Sequence, residues 1–279
     1  MPDAPELGQF FTPRAVIDFA FDALVACGAE IAGARVADPA CGPGEWLRAA
    51  LERGAAQALG ADCDPAMARA WDDAGLAGDP RCALMVADGL GVGVLPEAAC
   101  DLVVGNPPFG ADLADAGPDA LRALARTYRL PFPDRADRLL VEPSQSDLRR
   151  LARYPIELLF SERFAALCQP GGWIAIILPE GVLSNARWRH VREWLLGAMT
   201  VHAVVGLPRS TFRAHGTTAR TCLLLMRARP PAPDHEVALA EANSCEAPAL
   251  AALLAALCAG ASHVGESPPG LLPPPLQRD

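Results

Sequence analysis

A chain of 279 residues with 51% hydrophobic and 20% charged residues has the length and composition of one large α/β domain or a domain with a small appendage, not of a disordered polymer. The longest weakly polar stretch, Ala249 to Ala261, is too short to cross a bilayer, and the first residues lack a basic start followed by an apolar run. The expectation is a cytoplasmic protein with no membrane partner. Nine cysteines without a CxxC pair are poor material for a zinc site or a small disulfide framework, so reduced, mostly buried thiols and no metal are expected.

The net charge of −9 argues against a uniformly polyanion-binding surface. The average hides an asymmetry. Arg122 to Arg153 contains eight arginines against four acids, and Arg187 to Arg229 contains eight against Glu193 alone, while the whole chain has no lysine. These arginines fit either a nucleic-acid surface or a solvated face.

In chain order, Pro13 to Cys27 predicts an amphipathic helix with Thr12 as cap, Pro13 in the first position, and Val16, Phe19, Ala20 and Leu24 on one face. Strand Arg35 to Ala37, helix Glu45 to Arg53, strand Ala58 to Ala61, helix Pro65 to Asp72, strand Ala83 to Ala87 and strand Leu102 to Val104 follow. This alternation implies a parallel sheet with helices on both faces. Gly110 to Arg153, with four prolines and mixed charge, breaks the rhythm and reads as an excursion of loops and short helices. Helix Ile156 to Leu167, a turn at Pro170 to Gly172, strand Trp173 to Leu178, helix Ala186 to Leu196 and strands Val201 to Val205 and Thr221 to Met226 come next, the last two as antiparallel neighbours. The prediction is a mostly parallel seven-stranded sheet with an antiparallel last strand. Residues 1–229 form its domain, and 230–279 a small C-terminal addition with a Pro-rich tail.

Asp38-Pro39-Ala40-Cys41-Gly42-Pro43-Gly44 sits where the first strand gives way to a helix, the place where open α/β sheets bind ligands. Gly42 and Gly44 let backbone approach a ligand closely, but the third glycine of the dinucleotide fingerprint is missing. Asp38 can pair with the α-ammonium of a methionine moiety, which suits S-adenosylmethionine better than NAD. Asp62, about twenty residues on, can accept both hydrogen bonds of a ribose diol. Its neighbour Asp64 reads instead as a cap for the following helix. Asp88, at the end of the third strand, can accept from an adenine amine. Each acid alone is ordinary, but three at the carboxyl ends of successive strands converge on one crevice.

Asn106-Pro107-Pro108-Phe109 follows the fourth strand. The prolines favour an extended, stiff loop that holds the Asn106 side-chain oxygen and the Pro107 carbonyl facing inward. Two fixed acceptors suit an arylamine nucleophile, because bonds from both N–H groups favour the pyramidal nitrogen whose lone pair attacks a methyl carbon. Phe109 offers a wall for an extruded base. The plainer reading is a turn beside a core phenylalanine.

With Gly8-Gln9-Phe10-Phe11-Thr12-Pro13, Leu178-Pro179-Glu180-Gly181-Val182-Leu183 and Gly206-Leu207-Pro208 with Phe212, these motifs fall in an order that resembles the N6-adenine DNA methylase family. Within it the chain is similar to the catalytic core of type I restriction-modification modification subunits, over roughly Gly8 to Arg227. The resemblance implies a Rossmann-like class I S-adenosylmethionine-dependent methyltransferase. Phe11 and Thr12 would close over the cofactor, and Asp38, Ala40, Gly42, Gly44, Asp62, Asp88 and Asn106 would contact it. Asn106, Pro107, Pro108 and Phe109 would hold a DNA adenine, with Phe212 as a second aromatic contact. Nothing after Arg229 resembles a recognition domain, so a specificity subunit or the 110–153 excursion is expected to choose the DNA site. A protein-glutamine or RNA-amine methyltransferase shares Asn-Pro-Pro followed by an aromatic residue, and a cofactor-binding subunit inactive alone is a second alternative. The absence of a Pro-Cys dipeptide argues against cytosine C5 chemistry.

Overall fold

The structure, a computed structural model, describes residues 11–134, 142–212, 220–259 and 263–264. Gly8, Gln9 and Phe10 of the first motif, part of the 110–153 excursion and the Pro-rich tail lie outside the described residues.

In the first half of the chain, α1 (Arg14–Ala26) precedes β1 (Arg35–Asp38), α2 (Glu45–Glu52), β2 (Gln57–Asp62), α3 (Met67–Asp73), β3 (Cys82–Val86) and β4 (Cys100–Gly105). The excursion contributes α4 (Pro118–Thr127) and α5 (Gln145–Ala152). Then come α6 (Ile156–Leu167), β5 (Cys168–Pro179), the short α7 (Gly181–Ser184), a 3-10 turn at Ala186–Trp188, α8 (Arg189–Ala198), β6 (Thr200–Leu207) and β7 (Thr221–Arg227). The chain continues through β8 (Ala238–Glu241), α9 (Ala247–Cys258) and the two-residue β9 (His263–Val264).

Among the described residues the sheet has nine strands in the order β3-β2-β1-β4-β5-β7-β6-β8-β9, two more than the seven expected. β7 runs antiparallel to both neighbours, as the spacing of the last two predicted strands suggested, and every other pairing is parallel. It is not the last strand. Ala238–Glu241 continues the sheet in register from Ala203 to Gly206, although all four of its residues are only half-buried and the short Ala-Leu-Ala-Glu run has no apolar–polar alternation. Its pairing is supplied by the open edge of β6.

Side chains alternate across the strands, which sorts the interior into two layers. Leu102 and Val104, with Trp173, Ala175 and Ile177, face α1, α2 and α9. Val103, with Ile174, Ile176 and Leu178, faces α6 and the side that carries α4, α5 and α8. The helical face of α1 is wider than the four residues predicted: Val16, Ile17, Phe19, Ala20, Phe21, Ala23 and Leu24 are all buried, against α2 on one side and α9 on the other. Thr12 does not cap this helix. Its hydroxyl accepts instead from the Trp46 indole Nε1 of α2 at 3.4 Å, and Pro13 takes the cap position. Pro170 to Gly172 lies within β5, as an irregularity in its pairing with β4, with Gly171 at φ +80°. The single predicted helix after Asn185 is split, because Asn185 Oδ1 accepts from the Arg187 N–H and closes a tight first turn.

Candidate active site

β1 delivers Asp38 to the carboxyl edge of the sheet, 1% exposed. Its Oδ1 accepts from the Ala40 N–H at 3.0 Å, and its Oδ2 is buried with no hydrogen-bond partner among the described residues. Burial pushes its pKa up to about 8, aided by the nearby Asp62 charge and opposed by the Ala40 N–H. A buried carboxylate oxygen without a donor costs on the order of 1–3 kcal/mol or more, so this atom marks a place for a cationic donor. The last residue of β4 makes room for it. A Cβ on Gly105, at φ +153°, would lie 2.6 Å from Asp38 Oδ1.

The turn after β1 is fastened to β2 and α3. The Gly42 N–H donates to Asp62 Oδ2 at 2.8 Å, and the Gly42 carbonyl accepts from the Trp71 indole at 2.7 Å. Asp62 Oδ1 accepts from the Asp64 N–H at 3.0 Å, so both oxygens of this buried carboxylate are oriented by backbone. Burial raises its pKa. Asp64 Oδ1 accepts from the Ala66 N–H at 2.9 Å, a turn ahead of α3 and not a cap: the helix begins at Met67, later than the Pro65 expected, with Ala66 in the cap position and no side-chain cap bond. Gly44, at φ +87°, starts α2 rather than lining the cavity, and a Cβ there would meet Leu76 at 2.4 Å. At the end of β3, Asp88 Oδ1 accepts from the Leu90 N–H at 3.0 Å. The next residue must be glycine, since a Cβ on Gly89 would sit 1.7 Å from the Pro39 carbonyl oxygen.

These turns enclose a cavity of about 280 Å³. Of the predicted residues, Phe11, Ala40, Gly42, Asp62, Asp88, Asn106 and Pro108 line it. Thr12 stands behind Phe11 against Trp46, and Pro107 is buried. Phe109 and Phe212 do not line the cavity either. They are 5% and 1% exposed and meet edge to face, ring centroids 6.1 Å apart at 74°. The cavity also takes residues that sequence reasoning did not single out: Pro39, Cys63, Gly89, Ala111, Asp112, Asp115, Ile156 and Phe160. Ile156 and Phe160 read in sequence as an ordinary apolar helix face, so nothing local distinguished them. With Asp62, Asp88, Asp112 and Asp115 on its walls the cavity is strongly acidic, and no arginine is among its lining residues; Asp38 does not line it but is buried behind Ala40, to whose N–H it is bonded.

Arg163 is a further residue that no sequence motif marks. Buried at 1% exposure on α6, it donates to the carbonyls of Gly89, Gly91 and Leu95 at 2.9, 3.0 and 3.3 Å and pairs with Glu97 at 2.8 Å. The Tyr128 hydroxyl adds a 2.6 Å bond to the Leu90 carbonyl. Together they fix the loop that carries Asp88.

The nine cysteines are free thiols, with Cys41, Cys100, Cys168 and Cys222 buried and Cys63 and Cys258 exposed. No group of three or more side chains that could hold a metal occurs among the described residues, and no described helix is long and apolar enough to cross a membrane.

The parallel strands with one antiparallel strand inserted, together with strand-end acids around one cavity, define the fold of class I S-adenosylmethionine-dependent methyltransferases. A protein from Listeria monocytogenes described as a member of that class is similar over 91% of this chain and 72% of its own, at 21% identity and a TM-score of 0.66. The methyltransferase subunit of a type I restriction-modification system from Streptococcus thermophilus is similar over 94% of this chain and 55% of its own, at 21% identity and a TM-score of 0.64. A type I modification subunit from Vibrio vulnificus covers the same shares at 18% identity and a TM-score of 0.60. The chain thus spans about half the length of these type I subunits. The N-6 DNA methylase family profile matches residues 81–247, and the chain belongs to that family. The matched stretch holds Asp88, Asn106 to Phe109 and Phe212, while Phe11, Asp38 and Asp62 enter the site through the fold.

Proposed function

We propose that the chain is a DNA methyltransferase that transfers a methyl group from S-adenosylmethionine to N6 of an adenine turned out of the duplex. The observation that carries this reading is the shared cavity: Asn106 and Pro108 line the same acidic space as Asp62 and Asp88, next to Ala40, whose N–H holds the buried Asp38. These residues fit the cofactor. Asp38 Oδ2 accepts from its ammonium, Asp62 from its ribose hydroxyls and Asp88 from its adenine amine, while Phe11, Pro108, Ile156 and Phe160 supply apolar contact. When bound, the cofactor supplies a methyl group on a positively charged sulfur.

The chain's contribution to transfer lies in positioning and electrostatics. The Asn106 side-chain oxygen and the Pro107 carbonyl accept from the two N–H groups of the target amine, which localises its lone pair for in-line attack. Bound here, the cofactor would supply the methyl group in exchange for the amine's attack, and the amine would release one proton to solvent. No covalent enzyme intermediate is required. Phe109 and Phe212 are assigned to the target base. Because both are buried against one another, base binding must part this pair or use the edge of Phe109 left beside Pro108.

We assign residues 1–229 to catalysis and 230–279 to an addition whose β8 and α9 extend the sheet and rest on α1. A separate specificity subunit is the expected partner in a restriction-modification role. This is supported by the similarity in fold to type I modification subunits. Incubation of the chain with radiolabelled S-adenosylmethionine and DNA, RNA or protein tests the reading: label is expected in DNA, at N6 of adenine after digestion. Label confined to protein or RNA would overturn it.

A further inference from the structure

The two arginine-rich stretches, 122–153 and 187–229, are far apart in sequence, yet His190 Nε2 lies 3.2 Å from the Leu130 carbonyl and the two meet again around Tyr154, just after the first. At the end of α5, Arg153 precedes the buried Tyr154, whose ring meets Trp188 edge to face at 5.5 Å. The Tyr154 hydroxyl is 3.3 Å from His190 Nε2. The Arg187 guanidinium lies over the other partner of that contact, 4.5 Å from the Trp188 ring. Burial pushes the pKa of the Tyr154 hydroxyl upward, the half-buried Glu162 adds to this, and the charges of Arg150 and Arg187, one from each stretch, oppose it.

Arg149, Arg153 and Arg187 are exposed, and none has a carboxylate within 4.0 Å among the described residues. Arg150 is 3.9 Å from Asp134, and both side chains are largely exposed, a pair worth little in water. The patch borders the cavity mouth. The Ala152 carbonyl accepts from the Leu113 N–H at 3.0 Å, and the Ile156 N–H donates to Ala111, which ties the Arg153 segment to the loop carrying Asp112. Arg187 follows β5 and α7 at the same carboxyl edge of the sheet from which Asn106 projects.

We infer that the surface formed by Arg149, Arg150, Arg153 and Arg187 grips the phosphate backbone of duplex DNA beside the target adenine, an inference that rests on the DNA-methyltransferase reading. The cavity repels phosphate and attracts a cationic cofactor, whereas the patch outside it has the opposite charge, so the two ligands are sorted by electrostatics. Arginine forks match phosphate oxygens, and stacking of Arg187 on Trp188 lowers the ordering cost of that contact.

The test is equilibrium binding of the full chain to a short fluorescent DNA duplex across a salt series, for wild type, the double variant Arg153→Gln/Arg187→Gln and the control Arg69→Gln on α3. The slope of log affinity against log salt should shrink by about two in the double variant, close to 0.9 per lost phosphate contact, and affinity at low salt should fall about tenfold or more. Thermal unfolding and S-adenosylmethionine binding should match wild type. A slope equal to that of wild type or of the control overturns the inference, as does a wild-type chain without salt-dependent affinity for the duplex. So does loss of a co-purifying acidic protein with the DNA slope intact. If wild type methylates DNA but the slopes coincide, the surface assignment alone fails. Label confined to protein instead removes the functional reading itself.

Discussion

The two halves of the site are built to different degrees. On the cofactor side, Asp38, Asp62 and Asp88 each hold at least one backbone N–H, and Gly42, Gly89 and Gly105 allow neighbouring turns to lock at contact distance. On the target side the two aromatic residues are packed into each other, and the residues directly after Phe212 lie outside the described structure. A rigid cradle suits a ligand that is always the same. A target that must leave a base stack needs a pocket that opens for it, at a cost of a few kcal/mol in the nucleic acid. The cofactor half is therefore expected to act before, and independently of, the target half.

The sharpest way to break this division is Asn106→Ala. Methyl transfer should fall roughly 10²- to 10³-fold with a much smaller loss of S-adenosylmethionine affinity, since Asn106 shares the cavity, as measured by single-turnover transfer and calorimetry. An equal loss of cofactor affinity would mean that Asn106 belongs to both halves.

Asp38→Asn should weaken cofactor binding about 10- to 100-fold. It should also raise the melting temperature of the cofactor-free protein, because an isostere removes a buried carboxylate that lacks a donor. The sign follows from the raised pKa. The folded chain keeps the Asp38 proton up to about pH 8, while the unfolded chain loses it near the ordinary carboxylate value. Stability is fully present below the unfolded value and drains away as pH rises toward 8. The variant's advantage should grow between about pH 5 and pH 8 and then level off. A constant difference across that range would show that Asp38 is not the titrating group.

Arg163→Met tests whether the cradle depends on what lies behind it. Three loop carbonyls would lose their donor, with a destabilisation of about 3 kcal/mol and a roughly tenfold rise in the cofactor dissociation constant. Tyr128→Phe, which removes one bond to the same loop, should give a smaller effect in the same direction, about 1 kcal/mol. If both variants lower stability yet leave cofactor affinity untouched, the loop is structural only.

The mildest test uses Cys63, an exposed thiol on the cavity wall, with the exposed Cys258 on α9 as an internal reference. Burial pushes the Cys63 pKa up, reinforced by Asp62 and Asp88, so its alkylation should be slow near neutrality and speed up with pH. S-adenosylmethionine should protect Cys63 several-fold by mass spectrometry and leave Cys258 unprotected. Equal protection at both would point to a global change instead of occupancy of the cradle.

Much of this was legible in the sequence. Strand ends are announced by short apolar runs followed by Asp, Gly or Pro, and chain order then places successive strand ends side by side in a parallel sheet. For that reason Asp38, Asp62, Asp88 and Asn106 group together from chain order alone. Ile156 and Phe160 could not be found in this way, because a helix face that lines a cavity has the same periodicity as one that fills a core. Arg163 was equally hidden, since its partners are carbonyls on a loop some seventy residues earlier. β8 was missed because a four-residue Ala-Leu-Ala-Glu run lacks the alternation and the β-branched residues that mark a strand, and its pairing comes from a neighbour.

The sequence by itself determined the alternating architecture, the antiparallel β6–β7 pair and the identity of the acids and the Asn106 loop. All of these depend on local periodicity and on residue chemistry at strand ends. Tertiary structure alone decided that Asp38 keeps one oxygen without a donor, that Phe109 is covered by Phe212, that Thr12 serves Trp46 instead of its helix, and that the two arginine stretches converge on Tyr154 and Trp188. Burial and long-range pairing are properties of how distant segments pack. No pattern within a single segment encodes them.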